Sequence, residues 1–446
     1  MQLCSSLPRL SGILLLLPVS LNAMPLSLAD AEKRLASNPT MQAQQADVDA
    51  WQAQQRALNN LDLPQLSITI AGIAYEKDVT FDIPVINQPA ELDVFRSGIR
   101  SQLNLLWPLY TGGRTDAARQ QARARVTEAE AEQRQLQLQQ LKRLFDLYFS
   151  SQMMQQVVQV RQQALQTLEA HVHKAKRFEQ EGLITRLNRM QAEVAHAEAR
   201  REAVMAQRQL SDVRAALQNL LQLNELGCLS TPLPQPVPLT KPADWFVSQA
   251  KRHNPAFQQL LAKDQQLKQQ LRIEQGKRLP EVFLVGSYDL NRSATPLTEP
   301  DWSIGLGMRY HFTTPINRQA SAHVVHSRQH QLAFSHQQAD ADIQLAVESS
   351  YRAVLLHLEQ FELLQQDLQL AREHARLQHH AFEQGMATSL DVTDARLKQA
   401  AAEVQALQAA FQYSSALAQL TQLSGQPELI ASWLPTLMQQ QSCPAF

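Results

Sequence analysis

Two segments of the chain alternate between apolar and polar residues with a period of two. Every second residue from Phe95 to Trp107 is apolar or small, and most residues between them are polar. Trp302 to Phe312 repeats the pattern more strictly, and weaker alternation covers residues 65–75 and 281–291. Because successive side chains of a strand point to opposite faces, the pattern predicts two strand pairs, 65–75 with 95–107 and 281–291 with 302–312.

Each strand pair is followed by a stretch in which apolar residues recur at steps of three and four. Residues 116–180 and 317–383 carry this period, and each stretch ends at a glycine, Gly182 or Gly385. A second helical stretch follows each glycine. The pattern predicts two coiled-coil hairpins, 116–223 and 317–424, whose first helices are about 100 Å long at 1.5 Å per residue.

Short motifs of the first half recur in the second half at two constant offsets. The offset is 216 positions for Asn38-Pro39 with Asn254-Pro255 and for Leu63-Pro64 with Leu279-Pro280, and 203 positions for Tyr148 with Tyr351 and for Gly182 with Gly385. The sequence is therefore duplicated, and the second copy is shorter between its strands. The acidic, proline-containing segment 76–94 accounts for the difference and is predicted as a hairpin loop. Residues 29–61 are predicted as one helix before the first strand pair.

The N-terminus has the features of a secretory signal. Arg9 supplies a positive charge, an apolar run extends from Leu10 to Leu17, and Leu21-Asn22-Ala23 is a suitable cleavage site. This run is too short to span a bilayer. The predicted organisation is a signal peptide, a first repeat, a proline-rich linker, a second repeat and a C-terminal tail: 1–23, 24–228, 229–242, 243–425 and 426–446.

Composition narrows the functional classes. The formal net charge of -1 gives no electrostatic basis for binding nucleic acid. The sequence contains no glycine-rich phosphate loop, no zinc-protease helix motif and no Gly-x-Ser-x-Gly elbow. We therefore expect neither an enzyme nor a cofactor.

The predicted strands suit a membrane barrel, although a soluble sheet with one wet face also alternates. Strands of about 10–12 residues cross a bilayer when they are tilted. Four strands cannot close a barrel, so several chains must contribute strands. The residues expected to face lipid are Ile99, Leu103, Leu306 and Met308. The polar face, expected to line the lumen, carries Arg96, Arg100 and Arg309.

The two hairpin turns share a glycine followed three residues later by a threonine. Gly182 and Gly385 supply the left-handed residue that ends a helix, and Thr185 and Thr388 are placed to cap the next one. Asn188 and Asp391 follow at the position of a capping-box partner. An ordinary helical hairpin carries the same signals, so the motif predicts that the two turns have the same local structure and does not by itself predict a function.

Asp391 and Asp394 lie on one helical face just beyond the second turn. In a symmetric assembly they would form carboxylate rings, which select cations. They also fit the simpler role of favourable charges at a helix start.

Histidine and cysteine give two further hypotheses. His323, His326 and His330 share a predicted helix face, but polar helix faces commonly carry histidine, and we expect no metal site there. Cys4 lies in the predicted signal. Cys228 and Cys443 follow the ends of the two halves and are candidates for a disulfide in an oxidising compartment. If they pair, labelling of the denatured, unreduced protein will find no free thiol on either.

This layout resembles the TolC-type outer-membrane efflux channel family over nearly the whole predicted mature chain. The most specific likenesses are Trp107-Pro108-Leu109-Tyr110-Thr111-Gly112-Gly113-Arg114 and Gly385-x-x-Thr388-x-x-Asp391-Val392-x-Asp394-Ala395. The resemblance implies a mainly α protein with a β-barrel part. It also implies a homotrimer in the outer membrane, whose chains contribute four strands each to a twelve-stranded barrel and whose helices form a barrel across the periplasm.

The resemblance further implies a passive exit duct, driven by an inner-membrane efflux or ABC transporter and joined to it by a periplasmic adaptor. The tips that contact the adaptor would contain Gly182, Leu183, Thr185, Gly385, Met386 and Thr388. The periplasmic constriction would contain Asp391, Asp394 and Asn188. Asn188 and Ala387 stand where such channels can have the charged pair of a gate lock, which predicts a looser resting gate. The second half also has residues 312–318 in place of the Gly-Gly turn.

Two other functions remain open from the sequence. The same channel could serve as the outlet of a type I protein secretion system, which the co-purifying transporter would reveal. A periplasmic coiled-coil adaptor or scaffold is an alternative from another class. An adaptor would show one hairpin between the halves of a lipoyl-like region, whereas this chain shows two hairpins and two strand pairs.

Overall fold

A computed structural model describes residues 25–76, 79–85, 88–95, 97–292, 300–313 and 315–427. The predicted signal peptide, Arg96 and Cys443 lie outside these residues. The helices are α1 (Leu28–Leu35), α2 (Pro39–Leu58), α3 (Arg114–Gln180), α4 (Arg186–Leu221), α5 (Ala243–His253), α6 (Pro255–Gly276), α7 (Arg318–Glu383) and α8 (Ser389–Ser424). The strands are β1 (Gln65–Ile73), β2 (Val79–Val85), β3 (Gln88–Phe95), β4 (Gly98–Tyr110), β5 (Glu281–Arg292) and β6 (Trp302–Arg309).

The strands form one sheet of four and a separate ribbon of two. The order in the main sheet is β1-β4-β5-β6, and all neighbouring strands are antiparallel. The segment predicted as a hairpin loop, 76–94, contains the strands β2 and β3, which pair with each other. The predicted four strands are thus those of the main sheet.

The register of the main sheet brings the apolar positions of all four strands to one face. Leu103 of β4 lies opposite Ile68 of β1 and Tyr288 of β5. Leu306 of β6 lies opposite Leu284 of β5. Because paired residues in an antiparallel sheet share a face, the period of two seen in each strand becomes one continuous apolar surface.

Two long helices dominate the rest of the molecule. α3 has 67 residues and α7 has 66, so each is about 100 Å long. α3 turns back into α4 and α7 into α8, as the coiled-coil pattern predicts. The two hairpins lie side by side, with α3 packed against α8. The described fold is therefore mainly helical with a four-stranded antiparallel sheet and a two-stranded ribbon, which confirms the predicted class.

The repeated Asn-Pro pairs mark the joints between short and long helices. Asn38 accepts a hydrogen bond from the backbone N–H of Thr40 (2.8 Å), and its amide donates to the carbonyl of Leu220 near the end of α4 (2.7 Å). Asn254 does the same at α6 and reaches the carbonyl of Leu423 in α8 (2.9 Å). The prediction of one helix over 29–61 is wrong, because an extended capping Asn and a Pro in the first turn start a new helix at Pro39.

The core lies at mid-length of the long helices, where the linker crosses them. The buried hydroxyl of Tyr148 donates to the carbonyl of Leu26 (2.8 Å) and accepts from the N–H of Thr231 (3.0 Å). In the second half, the hydroxyl of Tyr413 donates to the carbonyl of Val237. Both tyrosines thus satisfy backbone groups of the linker or of the N-terminal segment beside it.

Candidate functional site

One face of the main sheet is apolar and exposed. Of the predicted lipid-facing residues, Ile99, Leu306 and Met308 are 55%, 69% and 72% exposed, and Leu103 is half-buried between its cross-strand neighbours. Exposed apolar residues continue along the outer strands: Leu66, Ile68, Ile70, Trp302 and Ile304. A continuous apolar surface of this kind marks a contact with lipid or protein. Among the described helices, none is long and apolar enough to cross a bilayer.

The opposite face of the sheet carries the charged residues. Arg100 forms an ion pair with Asp289 (3.3 Å), whose side chain is almost fully buried. The guanidinium of Arg309 lies over the ring of Phe283 at 5.1 Å, and Phe283 occupies the space that a side chain at Gly307 would fill. Asp289 was not singled out from the sequence, although its alternation with Tyr288 and Leu290 contained the signal.

The sheet is fixed to the helices at its base. Arg114, which follows the Gly-Gly turn, pairs with Glu281 at the start of β5. Gly112 has a φ of +68°, and a Cβ there would lie 2.6 Å from the carbonyl oxygen of Gly276, so the close contact requires glycine. In the second half Asn317 caps α7 by accepting from the N–H groups of Gln319 and Ala320. A helix cap therefore replaces the Gly-Gly turn.

The hairpin turns are built as their motif predicts. Gly182 and Gly385 have φ angles of +73° and +75°, and a Cβ at either would meet nothing within 4 Å. Thr185 accepts from the N–H of Asn188 (3.4 Å), while Thr388 and Asp391 form a complete capping box. Leu183 and Met386, the residues after the glycines, are 65% and 72% exposed. The two tips thus present exposed apolar side chains next to a capped turn.

The two tip acids have local partners. The carboxylate of Asp391 accepts from the backbone N–H of Thr388 (2.8 Å) and from its hydroxyl (2.6 Å), which lowers the pKa of Asp391. Asp394 pairs with Lys398 one turn later (2.8 Å). Both acids are exposed and lie close to the turn. The two acids therefore already have partners at the start of α8 within one chain. Because both are exposed, they are also compatible with the predicted carboxylate rings of a symmetric assembly.

Two further predictions concern the cysteines and the histidines near the start of α7. Cys228 is disulfide-bonded, and its partner lies outside the described residues, so pairing with Cys443 remains a prediction. Within the described part of the chain no group of three or more metal-ligating side chains converges, and His323, His326 and His330 form no such group.

A polar contact between the hairpins near their tips was not predicted. Lys174 of α3 pairs with Glu383 of α7 (3.1 Å), and the ring of His171 makes a hydrogen bond with the hydroxyl of Ser389, the first residue of α8 (2.7 Å). His171 follows Leu168 by three positions and precedes Ala175 by four. A histidine within that apolar stripe was the signal available in the sequence.

Comparison with solved structures identifies the class of this fold. The outer membrane protein VceC of Vibrio cholerae matches with a TM-score of 0.74 at 16% identity, over 90% of this chain and 96% of that chain. The CmeC outer membrane channel of Campylobacter jejuni matches with a TM-score of 0.75 at 13% identity, over 90% and 86%. The MtrE outer membrane channel of Neisseria gonorrhoeae gives 0.71 at 17%, over 90% and 89%. The fold is therefore that of outer-membrane channels.

The family follows from the sequence itself. Residues 31–222 and 246–426 match the outer membrane efflux protein family, and the chain belongs to that family. A search of curated proteins finds no match. The protein is thus an outer-membrane efflux channel whose helices extend into the periplasm, and the family match favours this function over an adaptor or scaffold.

Proposed function

We propose that the protein is a passive exit duct, formed by a homotrimer, of a tripartite efflux system. The observation that supports this most strongly is that the main sheet and the helical layer each have two edges without a neighbouring element of the same layer. In the sheet the edges are β1 and β6. Over the half of the long helices next to the tips, the helical layer has the order α4-α3-α8-α7, and its edges there are α4 and α7. Head-to-tail contact between copies covers both pairs of edges at once and closes a ring.

The outer face of α7 carries an apolar stripe that suits such a contact. Steps of eleven and seven residues keep a side chain on one face of a helix. Exposed apolar residues follow these steps: Phe334, Leu345, Leu356, Leu363, Leu370 and Leu377. They lie on the side of α7 away from Leu368, which is buried in the groove shared with α3 and α8.

The outer face of α4 offers the complementary stripe. Its inner face buries a row of alanines against α3: Ala192, Ala195, Ala199, Ala203 and Ala206. On the opposite side it exposes Leu187, Met190, Val194 and Met205. Packing α4 of one copy against the half of α7 next to the tips in another copy would bury the α4 stripe against Leu356, Leu363, Leu370 and Leu377 in a coiled-coil seam. A ring of three copies also supplies the strands that one open sheet lacks.

The proposed partners are supported by the family match and by the exposed apolar residues at the tips. The sheet contacts outer-membrane lipid, and the tips meet a periplasmic adaptor through exposed residues such as Leu183 and Met386. The adaptor links the duct to an inner-membrane efflux or ABC transporter, which supplies the energy. The chain itself performs no catalysis and requires no cofactor on this proposal.

At the periplasmic end, Asp391 and Asp394 of three copies line the constriction. Six carboxylates near one axis favour cations and raise one another's pKa, in opposition to the capping contact that lowers the pKa of Asp391 in one chain. The variant with Asp391→Asn and Asp394→Asn removes both charges and keeps an oxygen that can cap the helix. We expect weaker cation selectivity and less block by multivalent cations than in the wild type.

Planar-bilayer recordings test the duct and its constriction together. The wild-type protein is expected to give stepwise, cation-selective conductance. The control variant carries Glu362→Gln and Asp367→Asn, which remove two exposed acids of α7 far from the tip and are expected to leave selectivity unchanged. Absence of any conductance would overturn the duct. Equal selectivity in the wild type and the tip variant would place the constriction elsewhere and leave the acids as helix-start charges.

A further inference from the structure

Near the tips, the two hairpins are joined by a buried hydrogen bond. His171 of α3 is 6% exposed, and its Nε2 lies 2.7 Å from the hydroxyl oxygen of Ser389, which is fully buried. The ring of Phe382, at the end of α7, lies 5.0 Å from the imidazole. Since Ser389 is the first residue after the second turn, this bond ties the start of α8 to the first hairpin.

The groups around His171 disfavour a positive charge on it. His379 of α7, Lys174 of α3 and Arg396 of α8 are cations or can become cations, and together with burial, the largest cause, they lower the pKa of His171 to about 4. Glu383, the last residue of α7, is paired with Lys174 and flanked by His379 and His380. On α4, Arg189 and Glu193 pair with each other (2.7 Å).

Arg396 makes the site still less tolerant of added charge. Its Nε is buried without a hydrogen-bond partner, and its Nη1 donates to Gln399 (3.2 Å). A neutral imidazole has one N–H and one free lone pair, and it can bond the serine hydroxyl in either direction. An imidazolium in the same place would add a buried positive charge beside the partly buried Arg396, and no described carboxylate is among the groups that act on it.

We propose that His171 is a proton-operated latch between the hairpins. When it is neutral it holds the start of α8 and the second tip against α3, and when it is protonated it releases them. This inference rests on the proposed duct, because the released tip is the element that would widen the periplasmic end. It assigns the control of release to a buried histidine rather than to the tip acids.

The direction in which pH changes the strength of the latch follows from the pKa of His171 in the latched and released states. In the released state the imidazole meets water and titrates near its ordinary pKa of about 6.5. Because the pKa in the latched state is lower, the latch has its full strength above about 6.5 and weakens as the pH falls. Between about 6.5 and about 4, each pH unit shifts the equilibrium towards release by up to about tenfold.

The experiment measures backbone amide hydrogen exchange in the peptide that covers residues 386–397, at pH 7.5 and pH 5.0. Rates are normalised to the intrinsic exchange rates at each pH, and four proteins are compared. The wild type is expected to show at least severalfold faster normalised exchange at pH 5.0. His171→Gln retains donor and acceptor but does not titrate, so its exchange is expected to be equal at both values. Ser389→Ala is expected to exchange fast at both. His173→Gln, at an exposed position two residues on, is the matched control and is expected to follow the wild type.

Conductance measured over the same pH range separates this inference from the duct. If His171→Gln keeps the wild-type dependence of exchange on pH, or if Ser389→Ala exchanges like the wild type at pH 7.5, the latch is wrong even where channels form. If no protein conducts at any pH, the duct is wrong, and the exchange data still decide whether the hairpins separate. A His379→Gln variant that alone abolishes the dependence would transfer the switch to His379 and overturn the assignment to His171.

Discussion

α3 and α7 occupy the same place in the two repeats and have nearly equal lengths, yet they differ in burial. α3 has 20 buried residues among 67, whereas α7 has seven among 66. The returning helices show the reverse order, because α8 buries 16 of 36 residues and α4 only nine of 36. The duplicated halves thus form two similar hairpins, and their packing within one chain buries more of α3 and α8 and leaves one side of α4 and one side of α7 exposed.

The exposed sides of α4 and α7 are the places where a neighbouring copy is expected to pack. A large apolar surface that stays in contact with water is unfavourable. On α7 the exposed apolar residues are regularly spaced, and on β1 and β6 they continue the apolar face of the inner strands, so both surfaces are expected to be covered by lipid or protein. The elements in the middle of the chain's own layer therefore hold the protomer together. The elements at its edges are expected to hold the assembly together, and substitutions in the two sets should have separable effects.

The largest effect on the protomer is expected from the covered helix α3. Phe149 is fully buried and its ring lies 4.6 Å from Phe145 and 5.3 Å from Tyr148. Phe149→Ala should lower the free energy of unfolding by about 3–5 kcal/mol. The measurement is urea unfolding in detergent, followed by circular dichroism. Leu356→Ala lies on the α7 stripe and is expected to weaken the trimer but to change the unfolding of the dissociated protomer much less, and an equal loss in both variants of the dissociated protomer would contradict the division.

The next effect concerns the two faces of the edge strand β6. Leu306→Arg places a charge on the apolar face and should cost about 2–4 kcal/mol if the residue lies near the bilayer midplane. Gly305→Arg places the same side chain on the polar face, where the nearest atom to a new Cβ is 3.8 Å away, and should fold normally with altered conductance. Folding yields into lipid vesicles measure the difference. Equal yields would show that the face is not in contact with lipid.

A smaller effect distinguishes two tyrosines at equivalent positions of the repeats. Tyr148→Phe removes a hydroxyl that bonds Leu26 and Thr231, and leaving these buried backbone groups unpaired should cost about 1–3 kcal/mol. Tyr351 of α7 is only partly buried, so Tyr351→Phe should cost little. Thermal unfolding of the two variants makes the comparison, and a larger shift for Tyr351→Phe would contradict it.

The sequence predicted the elements whose signals are local. Alternation in Trp302 to Phe312 and helical steps in 116–180 indicated the strands and hairpins, because each period reports directly on one face of one element. The sequence shows the Asn-Pro repeat but does not predict that it joins a short helix to a longer one, because Asn38 acts through the distant carbonyl of Leu220. His171 and Ser389 were missed for the same reason, since their contact depends on how two hairpins pack and no local pattern records it.

The most direct test of the account is the native mass of the detergent-extracted protein with one substitution on the α7 stripe. Leu370 is 71% exposed in the protomer and is expected to be buried between copies. The wild type is expected to be a trimer and Leu370→Arg is expected to lose the trimer. Gln369→Arg puts the same charge on the adjacent exposed position outside the stripe and is expected to remain a trimer. A monomeric wild type, or a Leu370→Arg protein as fully trimeric as Gln369→Arg, would contradict the account.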